Sequence, residues 1–286
     1  MAQGVILSQR DLALLRLLDL TPATATHIRK ASVTFDGDNF RDERRVRERL
    51  QALGEAGLIR SWSIAIPSGG LMSYFRLTLN GHRAAFPDEV DSPPRTSLSE
   101  IAPSRVRHAM ATAEMIVHSL VACHERGVVI QRTLGDGRLT LQVGEYRQQP
   151  DYHLQLGYAG RTFNLVFEID NATEPLDSRR EQSIRTKILG YETYQDWVLR
   201  RWKETGEEGS RPNTVRHDIR GSRTEEMAGC LEAEERLPVW RDGRGRHAHK
   251  LATAQQQATR VAGQECDRGL WLSVFSRVPR LVVLVS

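Results

Sequence analysis

Residues 41–80, RDERRVRERLQALGEAGLIRSWSIAIPSGGLMSYFRLTLN, decide the fold of the N-terminal part of the chain. From Arg41 to Leu58 the apolar residues Val46, Leu50 and Leu53 fall on one helical stripe, which predicts a helix with one buried face. The opposite side carries Arg41, Arg44, Glu48, Gln51 and Glu55, flanked by Arg45 and Arg47. After it the pattern changes period. Leu58 to Ile66 and Leu71 to Leu79 are short and β-prone, and Pro67 to Gly70 between them supplies a turn, so the pair predicts a hairpin.

Working back toward the N-terminus, Leu12, Leu15 and Leu18, with Leu14 alongside, predict a helix from Ser8 to Leu20, with Ser8 as its N-cap. Thr21 and Pro22 break it, and Ala23 to Ala31 has the composition of a second short helix with Pro near its first turn. Phe35 to Asn39 forms a loop. Three helices followed by a hairpin predict a winged-helix domain over residues 1–80. Residues 81–104 hold Pro87, Pro93 and Pro94, with Pro103 at their end, and are expected to be a linker.

A second domain is expected over 105–218. Met110, Ala113, Val117, Leu120 and Val121 give Arg105 to Arg126 an apolar helical face. Val128 to Thr133 and Arg138 to Val143 flank Gly135-Asp136-Gly137, which predicts a hairpin; Tyr152 to Tyr158 and Thr162 to Ile169 flank Ala159-Gly160, which predicts another. Ile184, Ile188, Tyr191, Tyr194 and Val198 then predict a long helix from Leu176 to Trp202, able to cover a sheet face. The fold class is therefore α/β, with the domains in that order. Residues 219–286 are poorly defined: one candidate strand at Gly269 to Phe275 and an apolar end at Val282 to Val285 that is too short for a membrane span.

Composition narrows the function classes. The 286 residues are 40% hydrophobic, enough for sizeable cores. With 40 Lys+Arg against 36 Asp+Glu the formal net charge is only +4, so attraction to nucleic acid has to come from local clustering. Cys123, Cys230 and Cys266 form no CxxC, which argues against a disulfide framework or a clustered zinc site and favours a cytoplasmic, reducing location. No window approaches the roughly 20 apolar residues of a spanning helix, and no Walker loop or GxGxxG is present. His247-Ala248-His249 has no acidic or cysteine ligands nearby in sequence, and His108, His118 and His124 lack HExxH spacing. Tyr191, Tyr194, Trp197 and Trp202 could stack on bases, but their helical spacing favours packing against the sheet.

Two constellations carry chemistry. In the first, the arginine-rich N-terminal half of the third helix suits the major groove, where Arg bridges guanine O6 and N7 or holds phosphates and Gln reads adenine; Arg60 and Arg76 on the hairpin would add phosphate contacts. The partner expected is double-stranded DNA, through Arg41, Arg44, Arg45, Arg47, Gln51, Arg60 and Arg76. The competing reading is a solvated helix whose Arg and Glu residues pair along its surface, or a protein-docking module. In the second, Asp151 begins one predicted strand and Glu168 and Asp170 end the next, the latter two on one face by alternation. Hard oxygen ligands gathered there suit Mg²⁺ or Mn²⁺, which would activate water against a phosphodiester, with Lys187 neutralising charge; the competing readings are a solvated strand edge with capping roles for Asp170 and its neighbours, and an inactive centre that binds DNA without cleaving it.

The order Pro150-Asp151, hairpin, acidic pair resembles the restriction-endonuclease-like nuclease fold, whose motif is Pro-Asp followed by Glu-x-Lys; here Asp170 stands at the lysine position. Taken with the Leu-rich opening helix, Arg44 to Ile59, Leu77-Thr78-Leu79-Asn80-Gly81-His82, Phe167-Glu168-Ile169-Asp170 and Lys187-Ile188-Leu189-Gly190-Tyr191, the arrangement from about Ser8 to Trp202 resembles the replication-relaxation family. The resemblance implies a DNA-associated plasmid or mobile-element protein with a winged helix and a nuclease-like domain. Three roles stay open: a DNA-binding protein of replication or mobilisation, a Mg²⁺-dependent endonuclease or nickase using Asp151, Glu168, Asp170 and Lys187, and an adaptor docking a relaxase or replication protein.

Overall fold

The computed structural model describes residues 6–37, 39–65, 69–89, 91–135, 137–158, 160–169, 183–205, 216–219 and 281–285. The chain is built of helices and antiparallel sheets and divides into two compact units, Met1–Arg138 and Leu139–Ser286.

The first unit opens with α1 (Gln9–Leu20), started by a reciprocal cap: the Ser8 side chain accepts from the Asp11 amide while the Asp11 carboxylate takes the Ser8 amide. The second helix is shorter than its composition suggests. Ala23–Thr24 form a strand, β1, and Thr24 caps α2 (Ala25–Ala31), because pairing of Ala23 with Phe75 and Thr24 with Tyr74 satisfies the backbone ahead of the helix. Helix α3 (Glu43–Glu55) is capped by Asp42, which accepts from the Arg45 amide at 2.9 Å. Its stripe of Val46, Leu50 and Leu53 is buried with Leu14, Leu15, Ile28, Ile59 and Leu77 in one core. The expected hairpin is present as β2 (Ile59–Ala65) and β3 (Leu71–Leu77), paired from Ile59–Leu77 to Ala65–Leu71, and the sheet order is β1-β3-β2.

The segment expected to be a linker is partly structured. Helix α4 (Leu79–Ala85) follows β3 directly, capped by Thr78, and its Gly81 lies so close to the Leu58 carbonyl that a Cβ there would overlap it. After the short α5 (Arg95–Leu98), the Ile101 amide donates to the Tyr74 hydroxyl at 3.0 Å. Helix α6 (Pro103–Glu125), expected to open the second domain, packs on α2 instead, where Glu114 takes His27 at 3.1 Å and Lys30 at 2.7 Å. Thr24 N–H donates to His27 Nδ1 at 3.4 Å, and His27 Nε2 faces the Glu114 carboxylate. Strand β4 (Val129–Leu134) ends this unit, and Arg138 grips Asp19 with two 2.6 Å bonds.

That grip overrides a local turn signal. The hairpin expected about Gly135 to Gly137 is not formed: β5 (Leu141–Val143) pairs with β6 (Tyr146–Gln148) across Gly144, which takes φ +57. Gly135 lies against the Leu20 carbonyl and Arg138 is held by Asp19.

In the second unit β7 (Tyr152–Tyr158) and β8 (Arg161–Ile169) form the hairpin expected from Ala159-Gly160, in register from Tyr152–Phe167 to Tyr158–Arg161. Helix α7 (Ile184–Thr205) begins later than its apolar spacing suggests; the part expected over 176–182 lies outside the described residues. Strands β9 (Arg216–Ile219) and β10 (Leu281–Val285) extend the β7–β8 hairpin in the order β7-β8-β10-β9, so the apolar end at Val282 to Val285 is an inner strand. The strand expected at Gly269 to Phe275, Cys230, Cys266 and the His247–His249 pair lie outside the described residues. No described helix is long and apolar enough to cross a membrane.

Candidate functional site

The first candidate surface is α3. Because Val46, Leu50 and Leu53 point inward, Arg44, Arg45, Arg47 and Gln51 are left exposed on the helix, with Arg41 exposed just before it. The acids among them are engaged: Glu48 takes Arg44 at 3.7 Å and Arg45 at 3.2 Å, Glu43 takes Arg47 at 2.6 Å, and Glu55 accepts from Gln51 at 2.9 Å. The Arg45 amide at the cap, aided by the charges of Arg44 and Arg45, holds the Asp42 carboxyl below its ordinary range. Exposed pairs of this kind are worth about 0–1 kcal/mol, so phosphates can displace them.

Arg49, which sequence reasoning did not single out, turns the other way. Its Nε and Nη2 reach the two Asp11 oxygens at 2.7 and 2.6 Å, and Nη2 also donates to the Ile6 carbonyl. Asp11 is only 1% exposed. Burial alone would push its carboxyl up, but Arg49 and Ser8 together bring it below the usual value. The pair fastens α3 to the start of α1 and so fixes which way the outward arginines face. On the hairpin, Arg60 is exposed and sits across from Arg76, whose guanidinium donates to the Ser99 carbonyl at 2.6 Å. Residues 61–75 between them carry no charge.

The second candidate is the acidic centre of the second unit. Strand alternation brings Glu168 and Asp151 to neighbouring places: Tyr152 pairs with Phe167, the Asp151 amide donates to the Phe167 carbonyl at 3.1 Å, and Asp151 Oδ2 accepts from the Ile169 amide at 2.7 Å. Lys187 does reach the centre. Ser183 starts α7, taking the Thr186 amide on its hydroxyl and the Lys187 amide on its carbonyl, and this first turn aims Lys187 Nζ at Glu168 Oε2, 2.9 Å away. One turn on, the Tyr191 hydroxyl donates to Glu168 Oε1 at 2.6 Å, as does Gln148 Nε2 from β6 at 2.6 Å. Tyr191, expected to pack, thus also holds a carboxylate, and no motif signalled Gln148. Gly190 between them lets the helix approach, since a Cβ there would overlap the Tyr146 ring. Asp170, the third carboxylate of the expected set, lies outside the described residues.

Burial and then the neighbouring Asp151 push the Glu168 carboxyl up, while Lys187 and Tyr191 pull it back. Burial and Glu168 likewise push the Tyr191 and Tyr146 phenols above their ordinary range. A carboxylate offers about four lone-pair positions, and three of those on Glu168 are taken by donors. A Mg²⁺ ion needs oxygen ligands near 2 Å and keeps several waters. Glu168 is 6% exposed, which leaves little room for them. A divalent ion on Oε2 would also lie roughly 4 Å from the ammonium, a repulsion of about 8 kcal/mol at an effective dielectric of about 20. Among the described residues the donor set around Glu168 therefore does not fit a divalent ion. Among the described residues no group of three His, Cys, Asp or Glu side chains is placed to hold one.

Compared with known proteins, residues 14–208 match the profile of the replication-relaxation family. No curated protein and no solved structure matches the chain.

Proposed function

The chain belongs to the replication-relaxation family, and from that premise we propose that it binds duplex DNA through a winged helix in the replication or mobilisation of a plasmid or mobile element. The family supports a role in replication. The DNA contact rests on one observation: α3 buries Val46, Leu50 and Leu53 while turning Arg44, Arg45, Arg47 and Gln51 outward on a single face. In this reading the N-terminal half of that face enters the major groove, Arg41 and Arg60 hold flanking phosphates, and Gln51 reads an adenine edge, all of them being exposed. Arg76, tied to Ser99, gives up that bond before it serves a phosphate. The protein works in the cytoplasm.

The test is fluorescence anisotropy on a labelled duplex across a salt series. Replacing Arg44, Arg45 and Arg47 by Ala weakens binding and lowers the slope of log affinity against log salt by about 0.9 for each phosphate no longer neutralised. Unchanged affinity and slope would remove α3 from the interface.

A further inference from the structure

We infer that the Glu168 centre is a metal-free anchor that fastens α7 and β6 to β8 and takes no part in Mg²⁺-dependent cleavage of DNA. This goes beyond the DNA-binding reading and does not depend on it.

Three elements converge on one buried carboxylate. Gln148 comes from β6, Glu168 from β8, and Lys187 and Tyr191 from successive turns of α7. Each of the three partners offers Glu168 an N–H or O–H, and the Lys187 ammonium among them has no lone pair to give a cation. The ammonium already occupies the place a metal would take at Oε2, and it is built in by the helix cap at Ser183 rather than delivered by a flexible loop. Around this cluster Leu141, Val166 and Tyr191 form an apolar patch with Leu139 and Tyr194, the surroundings of a structural pin and not of a hydrated ion. Asp151 spends Oδ2 on the Ile169 amide, closing the end of the β7–β8 pairing. The arrangement thus keeps the residues of a nuclease-like centre while committing them to holding the unit together.

The full chain titrated with MnCl₂ and followed by electron paramagnetic resonance tests this, with Glu168→Gln and Asp151→Asn measured beside it. The expected result is no saturable Mn²⁺ site, or one that persists in both variants and so lies elsewhere. Glu168→Gln, which removes the carboxylate charge that Lys187 Nζ meets at 2.9 Å, is also expected to melt at a lower temperature by the same amount with and without Mg²⁺. A saturable Mn²⁺ site lost in either variant would overturn the inference, as would Mg²⁺ raising the melting temperature of the unaltered protein but not of Glu168→Gln. Should Glu168→Gln fail to fold, Asp151→Asn decides alone, since its Mn²⁺ affinity falls only if the carboxylates hold the ion.

Discussion

Replacing Glu48 by Gln should make the protein bind DNA more tightly. Glu48 is the shared partner of Arg44 and Arg45, at 3.7 and 3.2 Å, and a duplex that takes both guanidinium groups has to break both pairs. The three side chains are exposed at 73%, 62% and 49% for Arg44, Arg45 and Glu48, so each pair is of the weak kind, about 0.3–0.5 kcal/mol. Together they oppose binding by roughly 0.6–1 kcal/mol, which is about a three- to five-fold gain in affinity once Glu48 is neutral. The gain is largest at low salt, because a Debye length of about 10 Å at 0.1 M screens the remaining repulsion between Glu48 and phosphate. Anisotropy on a labelled duplex between low and moderate salt reads it directly. An increase in affinity cannot be produced by a folding defect, which makes this substitution more telling than loss of an arginine. If Glu48→Gln binds as the unaltered protein does at every salt concentration, the reasoning fails, and the arginines of α3 are surface partners of their own acids.

Two further outcomes concern how the first unit is held. Arg49→Met leaves the buried Asp11 without its cation, which costs about 3–5 kcal/mol and lowers the melting temperature by roughly 10 °C in calorimetry. Asp11 has a depressed carboxyl in the folded chain, so its contribution is present above its unfolded value and lost as pH falls; the acid limb of the stability profile should flatten in Arg49→Met. Glu114, held down to about 2 by His27 and then Lys30, behaves likewise: its support is complete above its ordinary value of 4.5 and is lost as pH falls toward 2. Glu114→Gln should lower the melting temperature at neutral pH, modestly because the pairs are half exposed, leave it little changed near pH 2, and so remove that part of the acid dependence; an identical pH profile would show that α6 is not fastened there.

The sheets differ in how much of them the local pattern specified. The β2–β3 hairpin was legible because Pro67 to Gly70 and the change of period at Leu58 are local signals, and the β7–β8 hairpin because Ala159-Gly160 separates two β-prone runs. Gly135 to Gly137 is as strong a turn signal, yet β4 does not pair with β5, because Asp19 and Leu20, more than a hundred residues earlier, hold that segment. Strand β10 at Leu281–Val285 was legible as apolar residues but not as an inner strand, since its partners lie at Glu168 and Ile219.

By itself the sequence determined the elements whose causes are local: the Ser8 cap, the buried stripe of α3 and therefore its exposed arginines, and the β7–β8 hairpin that brings Glu168 near Asp151. Helical and strand periods are properties of neighbouring residues, so they can be read along the chain. Tertiary structure alone decided the roles of charged groups. Arg49 and Arg45 lie on one helix, four residues apart, but only Arg49 meets Asp11; Lys187, Tyr191 and Gln148 meet at one carboxylate from distant positions. What a charge does depends on the partner and the water left to it, and both are fixed only when remote segments pack.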